Sequence, residues 1–142
     1  MDKRQVRGTR LYRLAAAIGV IALGLALRRF GYDLGLTFPV VKYGGSVLWG
    51  AMVFLLAGAL SGARTKSRLV IVAIVIAVAV EFFRLVHAPE IDAFRLTLPG
   101  QLLLGRVFSL WNIIAYIAGI MLAWVAEMAV AKRVNEARAP AS

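Results

Sequence analysis

The residue best placed to do chemistry in this 142-residue chain is Glu81, which closes the apolar run LVIVAIVIAVAV that starts at Leu69. An unpaired acid inside a membrane span costs about 2.5 to 3.5 kcal/mol on insertion scales, so the sequence must supply compensation. Arg84 follows three positions later on the same helical face, where an intrahelical ion pair forms readily. Ala73 and Ala77 precede Glu81 at four-residue intervals, a small-residue stripe that lets another helix approach. Glu81 is therefore predicted to face the interior of a bundle. Asn112, Tyr116, Gly119 and Ala123 fall at helical spacing and combine two hydrogen-bonding side chains with two small ones, a second inward face. Counted along their helices at 1.5 Å per residue, Glu81 and Asn112 stand about 7 to 9 Å from the same end of the bundle, at similar depth. The chemistry open to this group is polar recognition. It is either a satisfied clamp that fixes helix register or a pocket for a charged head.

Around the mouth of such a pocket the sequence places Arg28, Arg29, Arg95 and Arg106 with the lone histidine, His87. The forked donors of arginine match phosphate oxygens. Asp92 and Arg95, three apart, read as a pair that orders a loop. The predicted ligand-binding set is thus Glu81, Arg84, His87, Asp92, Arg95, Asn112 and Tyr116. Other chemistries lack their residues. The chain has no cysteine and one histidine, so no thiolate nucleophile, disulfide or imidazole cluster exists, and no metal ligand or catalytic residue is predicted. No phosphate-binding loop, nucleophile elbow or dinucleotide fingerprint is present, and no cofactor is expected.

The elements that must position these residues are membrane helices. Hydrophobic residues make up 61% of the chain, and the mean hydropathy is +0.81, too apolar for a water-soluble domain. The net charge of +10 does not point to nucleic acid, because the basic residues lie between hydrophobic runs rather than along one face. A helix needs about 20 apolar residues to cross a bilayer, and four runs qualify: residues 14–27, 43–63, 69–87 and 107–126. The first is short and spans if Arg13 and the Arg28/Arg29 pair extend their heads to the two interfaces. No small-residue cleavage site follows it, so it reads as retained rather than as a signal peptide. The predicted fold is an all-α, four-span membrane bundle forming a single domain over residues 1–142. The segment HAPEIDAFRLTLPGQLLLGR, broken by Pro89 and Pro99-Gly100, reads as an irregular or interfacial loop between helices three and four. Gly58 and Gly62 form a GxxxG pair at which another helix can pack. Trp49, Trp111 and Trp124 suit interfacial belts. With the N-terminus inside, 11 Lys/Arg residues lie in cytoplasmic segments against six on the other side, which predicts both termini in the cytoplasm.

The order of residues from Tyr43 to Glu127 resembles the small membrane family catalogued as domain of unknown function 2809. The likeness rests on Gly45 through Trp49-Gly50, then EFFRLVHAPEIDAFR, LLLG-RVF and WNIIAYIAG. More distantly it is similar to the VanZ-like family, in which a glutamate on one helix is followed by an arginine-bearing loop and an Asp-to-Asn helix. By position the resemblance singles out Glu81, Asp92, Arg95, Gly105, Asn112, Tyr116 and Gly119. Arg84 stands where glutamine is expected and Asn112 where aspartate is expected, so an acid is exchanged for a base. The first family brings no activity, and the second links to glycopeptide-antibiotic resistance and the cell envelope. The functional expectation is a bacterial inner-membrane protein that binds or handles an anionic amphiphile, a lipid or lipid-linked envelope precursor, at an outer-facing polar cluster. Membrane lipids are the expected partners, with a membrane-protein partner or homo-oligomer as a further one. Two other readings stay open: an accessory or assembly subunit of a membrane complex, and a small proton-coupled transporter.

Overall fold

The computed structural model describes residues 3–61, 66–104 and 107–138. Gly62, Gly105 and Arg106, named above, lie outside the described residues. The described residues form six helices and no strand: α1 (Lys3–Phe30), α2 (Phe38–Ser61), α3 (Lys66–Phe83), α4 (Pro89–Leu96), α5 (Leu98–Leu103) and α6 (Leu110–Arg138).

Three helices are long and apolar enough to cross a membrane, over Arg7–Phe30, Phe38–Ser61 and Leu110–Ala137. α1 extends beyond its uncharged run at both ends, α2 beyond its run only at the N-terminal end and α6 only at the C-terminal end, because a helix continues through its flanking charges; α6 starts at Leu110 rather than at Val107. α3 falls short of this set. It ends at Phe83 rather than at His87, and its 18 residues carry Lys66, Arg68 and Glu81. The outward faces are apolar, with Ile18, Leu23, Leu60, Leu110 and Leu122 all more than half exposed. Meanwhile Arg13, Glu81, Arg84, Arg95, Asn112 and Glu127 are buried. This inverted arrangement suits a hydrocarbon solvent, where apolar surface is free to face outward and polar groups must find partners inside.

α1 turns back onto α2 through residues 31–37, with Gly35 at φ +79°, a conformation open to glycine. Contacts at Gly31–Val41, Leu27–Gly44, Gly24–Leu48 and Arg13–Gly58 set the antiparallel register of the two helices. α2 and α6 run parallel and cross closely. A Cβ on Gly50 would lie 2.3 Å from the Tyr116 carbonyl oxygen, and one on Gly119 would lie 1.9 Å from that of Val47. Only glycine fits at such a crossing. Leu69, Ala73, Ala77 and Glu81 of α3 are all buried, so the predicted small-residue stripe faces the bundle. The core joins Ala17, Val53, Phe54, Leu69, Ala73, Ala77, Tyr116 and Ile120.

The segment between α3 and α6, expected to be irregular or interfacial, holds two short helices. Pro89 and Pro99 do not interrupt them but start them, each in the first two positions where no intrahelical donor is needed. Thr97 accepts from the Gly100 amide at 3.2 Å and so caps α5.

Candidate functional site

Glu81 is fully buried near the end of α3, and its carboxylate meets four donors. The Ser109 amide donates to Oε1 at 2.7 Å and Asn112 Nδ2 to the same oxygen at 3.1 Å. The Tyr116 hydroxyl donates to Oε2 at 2.8 Å, and Arg84 Nη1 pairs with it at 2.8 Å. A carboxylate has about four acceptor positions, so this one is saturated. Charge-assisted bonds of this kind are the strong ones, and they offset the cost of burying the ion. The predicted inward faces of Glu81 and of Asn112/Tyr116 therefore meet each other directly.

Arg84 is held at the same place from the other side. Its Nε donates to the Leu104 carbonyl and Nη1 to that of Val107 at 3.2 Å. Its guanidinium carbon lies 5.9 Å from the Tyr116 ring centroid. The backbone leading into α6 is thereby tied to α3.

Beside this cluster lies a half-open cavity of about 540 Å³ between α1, α2, α5 and α6, a size typical of small-molecule sites. Arg28, Lys42 and Arg84 line it together with Ser46, Gln101, Asn112 and Tyr116. Val20, Ile21, Leu48, Trp49 and Met52 form its apolar part. No carboxylate lines it among the described residues. Ser46 Oγ donates to Asn112 Oδ1 at 3.3 Å, and Trp49 lies 4.6 Å from Tyr116 between ring centroids. Lys42 Nζ lies over its neighbouring rings, 5.2 Å from Tyr43 and 5.7 Å from Phe38, and Arg28 is exposed.

The other predicted ligand-binding residues stand elsewhere. Arg95 is buried but turned to the end of α3, donating to the carbonyls of Phe83 at 2.8 Å and Val86 at 2.9 Å. The Phe83 carbonyl also accepts the Val86 amide at 3.1 Å, so Arg95 reinforces the turn that follows α3, and the Asp92 carboxylate accepts from it at 2.9 Å. His87 is exposed, 3.4 Å from Asp92. None of these three lines the cavity. They order the α3–α4 corner.

Sequence reasoning missed a second buried cluster at the end of the bundle near the chain termini. Arg13 Nε meets Glu127 Oε1 at 2.6 Å, Nη2 meets Oε2 at 3.0 Å, and Nη1 donates to the Gly58 carbonyl at 2.9 Å. Arg13 and Glu127 are 3% and 8% exposed, so Arg13 does not extend toward an interface as expected. Gly58, expected to receive a helix, makes room for the Arg13 guanidinium and for Leu69. A signal was present: apolar residues continue beyond both charges, Leu11-Tyr12 before Arg13 and MAVA after Glu127, which puts them within the helices' apolar length. Trp49 and Trp124 pack against the core, whereas Trp111 is exposed.

A family model, described as a protein of unknown function (DUF2809), matches residues 37–120, more than half of the chain. The chain belongs to this family. The matched segment takes in Lys42, Ser46, Glu81, Arg84, Asn112 and Tyr116, and leaves Arg13, Arg28 and Glu127 outside. No solved structure matches the chain.

Proposed function

We propose that this protein is a four-span protein of the bacterial inner membrane, with both termini in the cytoplasm, whose cavity binds an anionic amphiphile. The observation that carries the reading is the make-up of that cavity: three cations and several neutral hydrogen-bonding groups at one end, apolar side chains at the other, and no carboxylate on its wall among the described residues. An anionic head with an attached hydrocarbon chain is complementary to both parts.

α3 as the fourth span is supported by its outward face, where Ile71, Val72, Val75 and Ile76 are exposed. Its acid is neutralised internally by Arg84, so the remaining charges on it sit at one end. The orientation rests on the lysine and arginine bias of the connecting segments, and it turns the cavity's cationic end toward the outer leaflet. Glu81 on this reading is a positioning residue. It holds Arg84, Asn112 and Tyr116 in place and presents no free carboxylate to a guest.

The test is native mass spectrometry of protein gently extracted from its own membrane, comparing wild type with an Arg28→Ala, Lys42→Ala double variant. Neither side chain holds the fold together, so the variant is expected to fold. A co-purifying anionic lipid or lipid-linked precursor, lost in the variant, is the expected result. A bare wild-type protein, or one that retains a partner subunit in place of lipid, would count against the reading.

A further inference from the structure

Two glycines of the cavity wall lack a reason inside the protein. Glycine weakens a helix interior relative to alanine, and at Gly50 and Gly119 the close crossing of α2 and α6 explains it. At Gly45 an added Cβ would meet nothing within 4 Å, and at Gly24 only Leu48, at ordinary contact distances of 3.8 and 3.9 Å. Both line the cavity, Gly24 one helical turn before Arg28 and Gly45 three residues after Lys42. Gly45 widens it beside Lys42, and Gly24 widens it opposite Leu48, one turn from Arg28.

The cavity is also unequally walled. No Cα of α1 lies within 8 Å of one in α3 or α6. α1 packs on α2, and it reaches α6 through side chains near the termini, foremost Arg13 with Glu127. The outer halves of α1 and α6 therefore stand apart, with the cavity in the wedge between them. Pro99, Gln101 and Leu103 of the α5 segment line it together with Arg28, Lys42 and Arg84. Val20, Trp49 and Met52 lie at its far end, Met52 about 15 Å along α2 from Lys42 at 1.5 Å per residue.

Resting on the amphiphile reading above, we infer that the guest is a lipid that reaches the cavity sideways from the bilayer, between α1 and α6. Its acidic head settles on Arg28, Lys42 and Arg84 in the width left by Gly24 and Gly45, and its chain runs down the wedge toward Trp49 and Met52. The gap left between α1 and α6 gives a chain this route from hydrocarbon, the solvent that the apolar outward faces of the helices suit. Gly24 and Gly45 are then the residues that set how bulky a head the site accepts.

The experiment uses the full chain with Trp111→Phe and Trp124→Phe, leaving Trp49 as the single fluorophore, in phosphatidylcholine vesicles. Brominated chains are introduced on phosphatidic acid or on phosphatidylcholine at equal mole fraction. Brominated phosphatidic acid is expected to quench Trp49 in excess of brominated phosphatidylcholine. Gly45→Phe and Gly24→Phe are expected to lose that excess, because a ring at either position takes up cavity space. Gly19→Phe, an exposed glycine of α1 off the cavity wall, is expected to keep it and controls for folding in the membrane. Equal quenching by both lipids would leave lateral access intact but remove the anionic-head reading on which it rests. Retention of phosphatidic acid in native mass spectra without any quenching of Trp49 would keep the head site and overturn the lateral chain path. Displacement of the quencher by inorganic phosphate added to the aqueous phase would likewise overturn the inference, making the guest a water-borne anion.

Discussion

The Arg13–Glu127 pair offers the sharpest energetic test of this architecture, because it joins α1 to α6 where their backbones do not touch. Glu127→Leu removes both carboxylate contacts, at 2.6 and 3.0 Å, from a guanidinium that is 3% exposed. Breaking a buried pair from one side costs about 3 to 5 kcal/mol, since it strands a charge. Arg13 keeps the Gly58 carbonyl at 2.9 Å, and its flexible stem can carry the charge toward the nearby end of the bundle. These put the expected loss at the lower limit, about 3 kcal/mol. Arg13→Leu takes both guanidinium contacts from the Glu127 carboxylate and is expected to cost a similar amount. The double leucine variant buries no charge and is expected to recover to within about 1 kcal/mol of wild type, since apolar replacement of a whole buried pair is often neutral. Reversible unfolding of the four proteins in mixed micelles, followed by helix content against denaturing detergent, yields the cycle. Two single losses that simply add in the double variant, or a Glu127→Leu loss below about 1 kcal/mol, would refute the claim that this pair is desolvated and coupled.

Other predictions follow from the same geometry. Gly119→Leu must force α2 and α6 apart, because its Cβ alone would lie 1.9 Å from the Val47 oxygen. It is expected to cost more than about 3 kcal/mol, whereas Gly45→Ala, with open space around it, is expected to stabilise by up to about 1 kcal/mol in the same unfolding assay. Arg95→Ala removes the bonds to the Phe83 and Val86 carbonyls and is expected to speed amide hydrogen exchange across residues 84–92. Lipid retention in native mass spectra should fall far less in this variant than in Arg28→Ala, Lys42→Ala, and an equal fall would return Arg95 to the binding site. In this cysteine-free chain, Glu90→Cys should label with an impermeant thiol reagent from outside intact cells and Glu136→Cys should not. The reverse pattern would invert the orientation and the outer-leaflet site with it.

Much of the central cluster was legible without coordinates because helical periodicity is local. The spacing of Ala73, Ala77 and Glu81, and of Asn112 and Tyr116, fixes which face each shares before any neighbour is known, and an acid in an apolar run demands compensation wherever it sits. That argument could not tell which of several arginines supplies it. Arg84 pairs with Glu81 and still borders the cavity. Arg95, equally plausible by position, turns instead to the carbonyls of Phe83 and Val86, in the turn that follows the end of α3. Residues 87–106 read as an irregular or interfacial loop because of two prolines, yet both prolines stand where a helix begins, a distinction that depends on where the preceding helix stops.

The sequence by itself determined that this is a helical membrane protein, that Glu81 is buried with Arg84, Asn112 and Tyr116 on facing helices, and that thiolate chemistry is absent. These follow from composition and from periods of three to four residues, which need no knowledge of distant contacts. Only the tertiary structure decided that Arg13 finds Glu127 114 positions away, that Gly50 and Gly119 bring α2 and α6 into backbone contact, and that Arg28 and Lys42 join Arg84 around one cavity. Those depend on how far one helix slides and tilts against the next. Lipid-facing and core-facing apolar residues look alike along the chain, so pattern alone cannot set that packing.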